Sequence, residues 1–206
     1  MGNAVDCDRA IKTVTVIFAV LSLQIACSNP AWHTTYQDDD VGYLIGLPVG
    51  WSPVPADIVA GFELGAEGTM REDPFFTPSE AEIVSANLTT VAIFSPHNWT
   101  SAQPRIPMLA VAIESGRQSE STPEYLALVG DHLSTSFERV SEVGKFRCRG
   151  KQFGIIQLET RVDQTSIYAH LYCIRHRDYM LSFHSIAFQP EELDLMRSMV
   201  CSTRLF

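Results

Sequence analysis

The stretch that decides the fold is VSEVGKFRCRGKQFGIIQLETRVDQTSIYAHLYCIRHRDYMLSFHSIA, residues 140–187. It contains four segments that are rich in β-branched and aromatic residues, which is typical of β-strands. The predicted strands are 140–148, 152–160, 166–175 and 179–187. The breaks between them carry turn residues such as Gly150 and are of hairpin length. The sequence therefore predicts a four-stranded antiparallel meander.

Helix starts stand on both sides of this meander. Thr122-Pro123-Glu124 follows an apolar segment at 107–113, and Pro190-Glu191-Glu192 follows the last predicted strand. Proline in the first turn of a helix, with acidic residues beside it, is typical of a helix N-terminus. A further start is indicated at Thr77-Pro78, and further strands at 41–47 and 87–94. This order predicts an α/β fold with a predominantly antiparallel central sheet covered by helices on both faces.

The N-terminus has the pattern of an export signal. Residues 13–26 form a short apolar run after Arg9 and Lys12, so we assign residues 1–26 to a signal peptide. Cys27 follows the small residue Ala26, as in a bacterial lipobox, which predicts lipidation of Cys27; cleavage nearby without a lipid and an uncleaved anchor are the alternatives. Residues 27–40 are interpreted as a tether and 41–206 as the domain. The expected location is the bacterial cell envelope, facing the periplasm or the exterior.

Three cysteines remain if Cys27 is lipidated and Cys7 leaves with the signal peptide: Cys148, Cys173 and Cys201. At most one disulfide can then form, and export permits it. Cys148 with Cys173 is one possible pair, since both fall on neighbouring predicted strands. Buried free thiols are the alternative. No C-x-x-C motif occurs, which argues against a zinc or dithiol redox site.

The charge is unevenly distributed along the chain. The formal net charge is −9, which argues against nucleic acid as a partner. Residues 28–138 carry 3 basic and 15 acidic side chains, whereas residues 139–206 carry 10 basic and 7 acidic ones. The second half contains a basic cluster, Lys145, Arg147, Arg149 and Lys151. This cluster is interpreted either as a solvated edge that discourages strand pairing or as a docking patch for an acidic partner or lipid head groups.

Possible site residues are few. Tyr168, His170 and Tyr172 alternate along a predicted strand and so share one face. They are interpreted either as packing beneath a helix or loop, or as a surface that contacts a partner or a small ligand, with the opposite face as the core. A metal site at His170 and His184 would need a third ligand, and none is evident. No cofactor is predicted.

Other residues are expected to be structural. Trp51 follows the turn at Pro48 and Gly50 and is expected to close one end of the core. The chain contains no G-x-S-x-G, P-loop or G-x-G-x-x-G motif. An enzyme is therefore not predicted.

The element order and three motifs resemble the PsbP-like superfamily, which includes the photosystem II subunit PsbP, a Ran-binding nuclear import factor and the DcrB-type bacterial lipoproteins. The motifs are Leu47-Pro48-Val49-Gly50-Trp51, Thr122-Pro123-Glu124-Tyr125 and the terminal Pro190-Glu-Glu helix. The resemblance covers residues 41–206 and implies a non-enzymatic module that binds or assembles proteins. We therefore expect a lipid-anchored envelope protein that binds another envelope protein. A module for a small ligand or metal, and a hydrolase, are the alternatives.

Overall fold

The structure is a computed structural model that describes residues 32–60, 88–96, 105–115, 120–134, 137–162 and 164–206. The predicted signal peptide, Cys27 and the helix start at Thr77 lie outside these residues. The strands are β1 (Trp32–Asp38), β2 (Tyr43–Pro48), β3 (Trp51–Pro53), β4 (Leu88–Pro96), β5 (Met108–Ser115), β6 (Arg139–Val140), β7 (Gly144–Cys148), β8 (Lys151–Val162), β9 (Thr165–His176), β10 (Tyr179–Ala187) and β11 (Arg204–Leu205). The helices described over their full length are α1 (Thr122–Leu133) and α2 (Pro190–Ser202), and residues 56–60 are also helical.

The strands form two antiparallel sheets. The larger has the order β3-β4-β5-β10-β9-β8-β6, and β7 also pairs with β8. The smaller has the order β1-β2-β11. The predicted meander is present as β8, β9 and β10, which pair in sequence order. Its first predicted strand, 140–148, is instead two short strands, β6 and β7, which both pair with β8.

Each face of the large sheet carries a hydrophobic core. On one face, Ile156, Leu171 and Met180 pack with Tyr125 and Leu126 of α1. On the other face, side chains of the large sheet pack with α2 and with β2 of the small sheet. They include Phe153, Tyr172 and Phe183 from the large sheet, Met196 and Val200 from α2, and Tyr43, Ile45 and Leu47 from β2. The predicted fold class is confirmed, with the small sheet sharing the face that α2 covers.

The start of α1 shows why the chain turns into a helix there. The N-cap is Ser121, one residue before the predicted start, and its hydroxyl accepts a hydrogen bond from the backbone N–H of Glu124. The Glu124 carboxylate accepts one from the backbone N–H of Ser121 at 2.8 Å, which completes a capping box. These hydrogen bonds lower the pKa of Glu124. Downstream, α1 lies so close to β8 that a Cβ atom at Gly154 would overlap Leu126.

The predicted tether is too long. Residues 32–38 form β1, which pairs with β2 and places Tyr36 opposite Ile45. The ring of Tyr36 packs against Phe94 and Tyr43, with centroids 5.1 and 6.0 Å away. The compact unit therefore begins at Trp32 rather than at residue 41. The pairing is with a strand that follows in the chain, so the polar composition of residues 32–40 gave no local sign of it.

The possible Cys148–Cys173 pair is also wrong, because Cys148 is bonded to Cys201 of α2. Strand β8 lies between β7 and β9, and Cys148 pairs with Lys151 whereas Cys173 pairs with Gly154, so the two cysteines are more than two strand spacings, about 10 Å, apart, which is too far for a disulfide. They also point to opposite faces of the sheet. Cys173 is a buried free thiol, and burial raises its pKa well above the ordinary value.

The turn after β2 lies at the end of the core. Pro48 ends β2, and Gly50 has φ +85°, a conformation that side chains with a Cβ rarely adopt. Trp51 is buried and belongs to the core on the α2 face. The structure therefore places Pro48, Gly50 and Trp51 in a turn that leads the chain from the small sheet into the large one.

Candidate functional site

The strip of Tyr168, His170 and Tyr172 lies on the face of β9 beneath α2. Tyr172 is fully buried in the core, whereas Tyr168 and His170 are partly buried. The Nδ1 atom of His170 lies 3.0 Å from the Tyr172 hydroxyl. The strip is therefore only in part a surface, and Tyr172 supports His170 from inside the protein. Both faces of the strand, and not only the face of Leu171 and Cys173, are core.

Burial controls the charge of His170. Its pKa is lowered by burial and further by the positive charge of Arg197, while Asp194 acts in the opposite direction. The imidazole is therefore neutral at neutral pH and can offer one donor and one acceptor. Burial likewise raises the pKa of Tyr172, so its hydroxyl keeps its proton.

Tyr168 and His170 line a groove of about 310 Å³. The groove lies where β6, β8 and β9 meet the N-terminal half of α2. Its other lining residues are Arg139, Val140, Ser141, Gln157, Leu158, Glu159 and Leu193. The register places Gln157 opposite His170 and Glu159 opposite Tyr168. Arg139 forms an ion pair of 3.2 Å with Glu159.

A buried hydroxyl stands on the strand next to His170. Ser185 of β10 is the register partner of His170, and its side chain is completely buried. Its Oγ atom has no hydrogen-bond partner among the described residues. Such an atom usually costs free energy unless a water or a ligand satisfies it.

His184 does not belong to this groove. It lies on the opposite face of the sheet, where its Nε2 atom is 2.9 Å from the Ser182 hydroxyl. There it borders an apolar cavity of about 190 Å³ that Val129, Leu133 and other side chains line beneath α1. Burial lowers the pKa of His184 to about 4. Because His170 and His184 face opposite sides, they cannot bind one ion, and the described residues contain no group of three potential metal ligands.

The predicted basic cluster surrounds the tip of the β7–β8 hairpin. Lys145, Arg147 and Arg149 are exposed, and Arg149 has φ +47°, as the first position of a type I′ turn requires. The Nζ atom of Lys151 donates a hydrogen bond of 2.8 Å to the carbonyl of Thr203. Burial, and then the charges of Arg149 and Arg204, lower the pKa of Lys151, so these cations lie close together. We call Lys145, Arg147, Arg149, Lys151 and Arg204 the basic surface.

Within the described ranges, no helix is both long and apolar enough to cross a bilayer. The position of Cys27 lies before those ranges, so its predicted lipidation stays a prediction.

Comparisons with other proteins bear on the fold. No protein-family model and no curated protein matches the chain. Among solved structures, the chain is similar to the cyanobacterial PsbP protein CyanoP of Synechocystis sp. PCC 6803, with a TM-score of 0.50, 12% identity and coverage of 84% of this chain and 92% of that one. It is also similar to LpqN of Mycobacterium tuberculosis, involved in cell envelope biogenesis, with a TM-score of 0.43, 12% identity and coverage of 84% and 89%. At these identities the likeness concerns architecture alone, and on that architecture the chain has the PsbP-like fold.

Proposed function

We propose that the chain is an exported envelope protein, anchored through a lipid on Cys27, whose domain binds another envelope protein without catalysing a reaction. The resemblance to the PsbP-like superfamily implies a binding or assembly role. The groove supplies a contact surface that fits such a role.

The observation that carries export is the Cys148–Cys201 disulfide, which joins β7 to α2. Structural disulfides persist in oxidising compartments and are rare in a reducing cytosol. The apolar run that ends at Ala26 gives independent support, since it has the length and flanking charge of a signal peptide. Export and a lipid anchor together make the envelope the place where the domain acts.

The groove supports binding of a protein segment. Tyr168, His170 and Leu193 provide apolar and aromatic area, and the Arg139–Glu159 ion pair lies at its rim. Aromatic and arginine side chains are enriched in protein interfaces, where a polar rim surrounds an apolar centre. A neutral His170 can exchange hydrogen bonds with the backbone of a bound segment without the cost of burying a charge.

Lipidation is tested by labelling cells with a palmitate analogue. The wild-type protein is expected to incorporate the label and to fractionate with membranes, and Cys27→Ala is expected to lose both properties. Cys7→Ala is the matched control, since Cys7 lies within the predicted signal peptide and should not matter. An unlabelled wild type, together with unchanged fractionation of Cys27→Ala, would show that the lipid anchor is wrong.

Partner binding is tested by photo-crosslinking in living cells. A photoreactive amino acid at Gln157, which is exposed in the groove, should capture one dominant protein. The control position is Leu128 on α1, which is 54% exposed and lies on the other side of the sheet. Equal capture from both positions, or no reproducible product from Gln157, would contradict a groove-mediated partner.

The second candidate function is binding of a small polar ligand in the same groove. It is favoured by the neutral imidazole of His170, which lines the groove and can offer one hydrogen-bond donor and one acceptor. A ligand that binds the folded state raises the melting temperature by mass action. A metabolite screen should then give a shift that Tyr168→Ala abolishes, whereas a screen without a shift argues for the protein partner.

A further inference from the structure

The cations of the basic surface meet at the tip of the hairpin: Arg147, Arg149 and Lys151 line one concave region there, and Arg149 and Arg204 are close enough to Lys151 to lower its pKa. The hairpin contributes Lys145, Arg147, Arg149 and Lys151, and β11 contributes Arg204. Two links fix the hairpin to the end of α2: the Cys148–Cys201 disulfide and the hydrogen bond from Lys151 to the carbonyl of Thr203. None of the five cations has an ion-pair partner among the described residues. These links hold Lys151 against the end of α2, while Lys145, Arg147, Arg149 and Arg204 are exposed to solvent.

The entry point of the chain into the domain lies near this frame. The indole of Trp32 and the hydroxyl of Ser202 flank the same residue, since a Cβ atom at Gly46 would lie 2.8 Å from Trp32 and 3.1 Å from Ser202. The backbone N–H of Gly46 donates a hydrogen bond of 2.7 Å to that Ser202 hydroxyl. Ser202 precedes Thr203, which accepts the hydrogen bond from Lys151. A short series of contacts thus links Trp32 to the basic hairpin.

The anchor leaves little distance between this region and a membrane. Because β1 begins at Trp32, only four residues separate it from Cys27. Five residue steps span at most about 18 Å even when fully extended. An acylated Cys27 would therefore keep Trp32 within about 18 Å of the membrane surface, so lipid head groups are the anionic groups always within reach.

We propose that the basic surface binds the anionic phospholipid surface of the membrane to which the protein is anchored and so sets the orientation of the domain. This inference rests on the proposed function for the anchor. Phosphate head groups carry the charge that unpaired lysine and arginine side chains bind. The net charge of −9 makes the orientation selective, because most other parts of the chain would be repelled by an anionic surface. An acidic protein is the competing occupant.

The test is flotation of the full chain with vesicles of phosphatidylcholine, with or without phosphatidylglycerol. The ratio of binding to the two vesicle types isolates the electrostatic part, because apolar insertion of an acyl chain or of the N-terminal segment contributes to both. We expect a clear preference for the anionic vesicles that disappears in about 0.5 M salt, where screening is strong. The ratio of binding can be measured whether or not Cys27 is acylated. A failed palmitate labelling would therefore contradict the lipid anchor without deciding whether the basic surface binds anionic lipid.

The variant Arg147→Gln/Arg149→Asn removes two charges from the basic surface, and asparagine tolerates the positive φ of position 149. The preference should fall about 25-fold, at about 5-fold for each basic residue. The control Arg105→Gln/Arg161→Gln removes the same charge from two exposed positions elsewhere and should retain most of the preference. Equal binding to both vesicle types, or an equal loss in the control, overturns the proposal. The proposal is also overturned if Arg147→Gln/Arg149→Asn loses a crosslinked acidic protein while its ratio of binding to the two vesicle types stays unchanged.

Discussion

The disulfide between Cys148 of β7 and Cys201 of α2 spans 53 residues of sequence, with 5.5 Å between the two Cα atoms. A bridge that closes a loop of this length restricts the unfolded chain and is worth about 2–4 kcal/mol. We expect Cys148→Ala/Cys201→Ala to lower the free energy of unfolding by about this amount. Denaturant titration with and without reducing agent measures it, and reduction should not affect the double variant further.

Cys173→Ala is the matched control for the bridge. Its buried thiol forms no disulfide in the structure, so reduction should destabilise this variant as much as the wild type. If Cys173→Ala instead became insensitive to reduction, the pairing would have to involve Cys173.

The contact of α1 with β8 depends on the missing side chain of Gly154. A Cβ atom there would overlap Leu126 and lie 3.0 Å from Thr122 Cγ2. We expect Gly154→Ala to destabilise the protein by about 1–3 kcal/mol, as overpacked core substitutions do. The same substitution should cost less in a Leu126→Ala background, because the overlapping atoms are gone. Equal costs in both backgrounds, measured by thermal denaturation, would show that this contact is not the cause.

The stability of the protein should fall on acidification because of His184. Burial lowers its pKa from 6.5 to about 4, so between these values the unfolded chain binds a proton that the folded protein does not. The free energy of unfolding is therefore expected to fall by about 2 kcal/mol between pH 7 and pH 5 from this residue alone. His184→Gln should flatten the pH dependence of the melting temperature while keeping a hydrogen-bonding group for Ser182. An unchanged pH dependence would exclude His184 as its source.

The buried hydroxyl of Ser185 gives a prediction that separates a structural role from a binding one. In the free protein, Ser185→Ala removes an unsatisfied polar atom and should be neutral or stabilising by about 1 kcal/mol. If a ligand uses this hydroxyl, the variant should lose thermal shift with that ligand although its own melting temperature does not fall. A clear loss of stability without ligand would indicate that Ser185 has a partner, such as a buried water.

Local sequence patterns correctly predicted the strands and helices whose bounds are marked by turn residues or helix-start residues. Strand β10 has the predicted bounds, 179–187, and α2 begins at the predicted Pro190. Strand β1 could not be predicted, because Trp32–Asp38 becomes a strand only by pairing with β2. The position of Cys201 next to Cys148 depends on the path of α2 across the sheet. Cysteine spacing does not contain that information.

The residues of the candidate site were likewise predictable only where their placement depends on the local sequence. Tyr168 and His170 share a face because a strand has a period of two, which the sequence shows directly. Their groove neighbours Arg139, Gln157 and Glu159 depend on the register between β6, β8 and β9. A shift of one residue would exchange the face on which each of these side chains lies. The groove was therefore only half predictable.

The Cys148–Cys201 disulfide also limits how far the width of the groove can change. Leu193, which forms the helical wall of the groove, precedes Cys201 by eight residues, or about 12 Å along the axis of α2. The disulfide fixes the C-terminal end of α2 to the hairpin, so any tilt of the helix would pivot about that end. A tilt of about 5° moves the wall by only about 1 Å at that radius. The width of the groove at Leu193 is therefore expected to vary little, which favours occupants of one thickness.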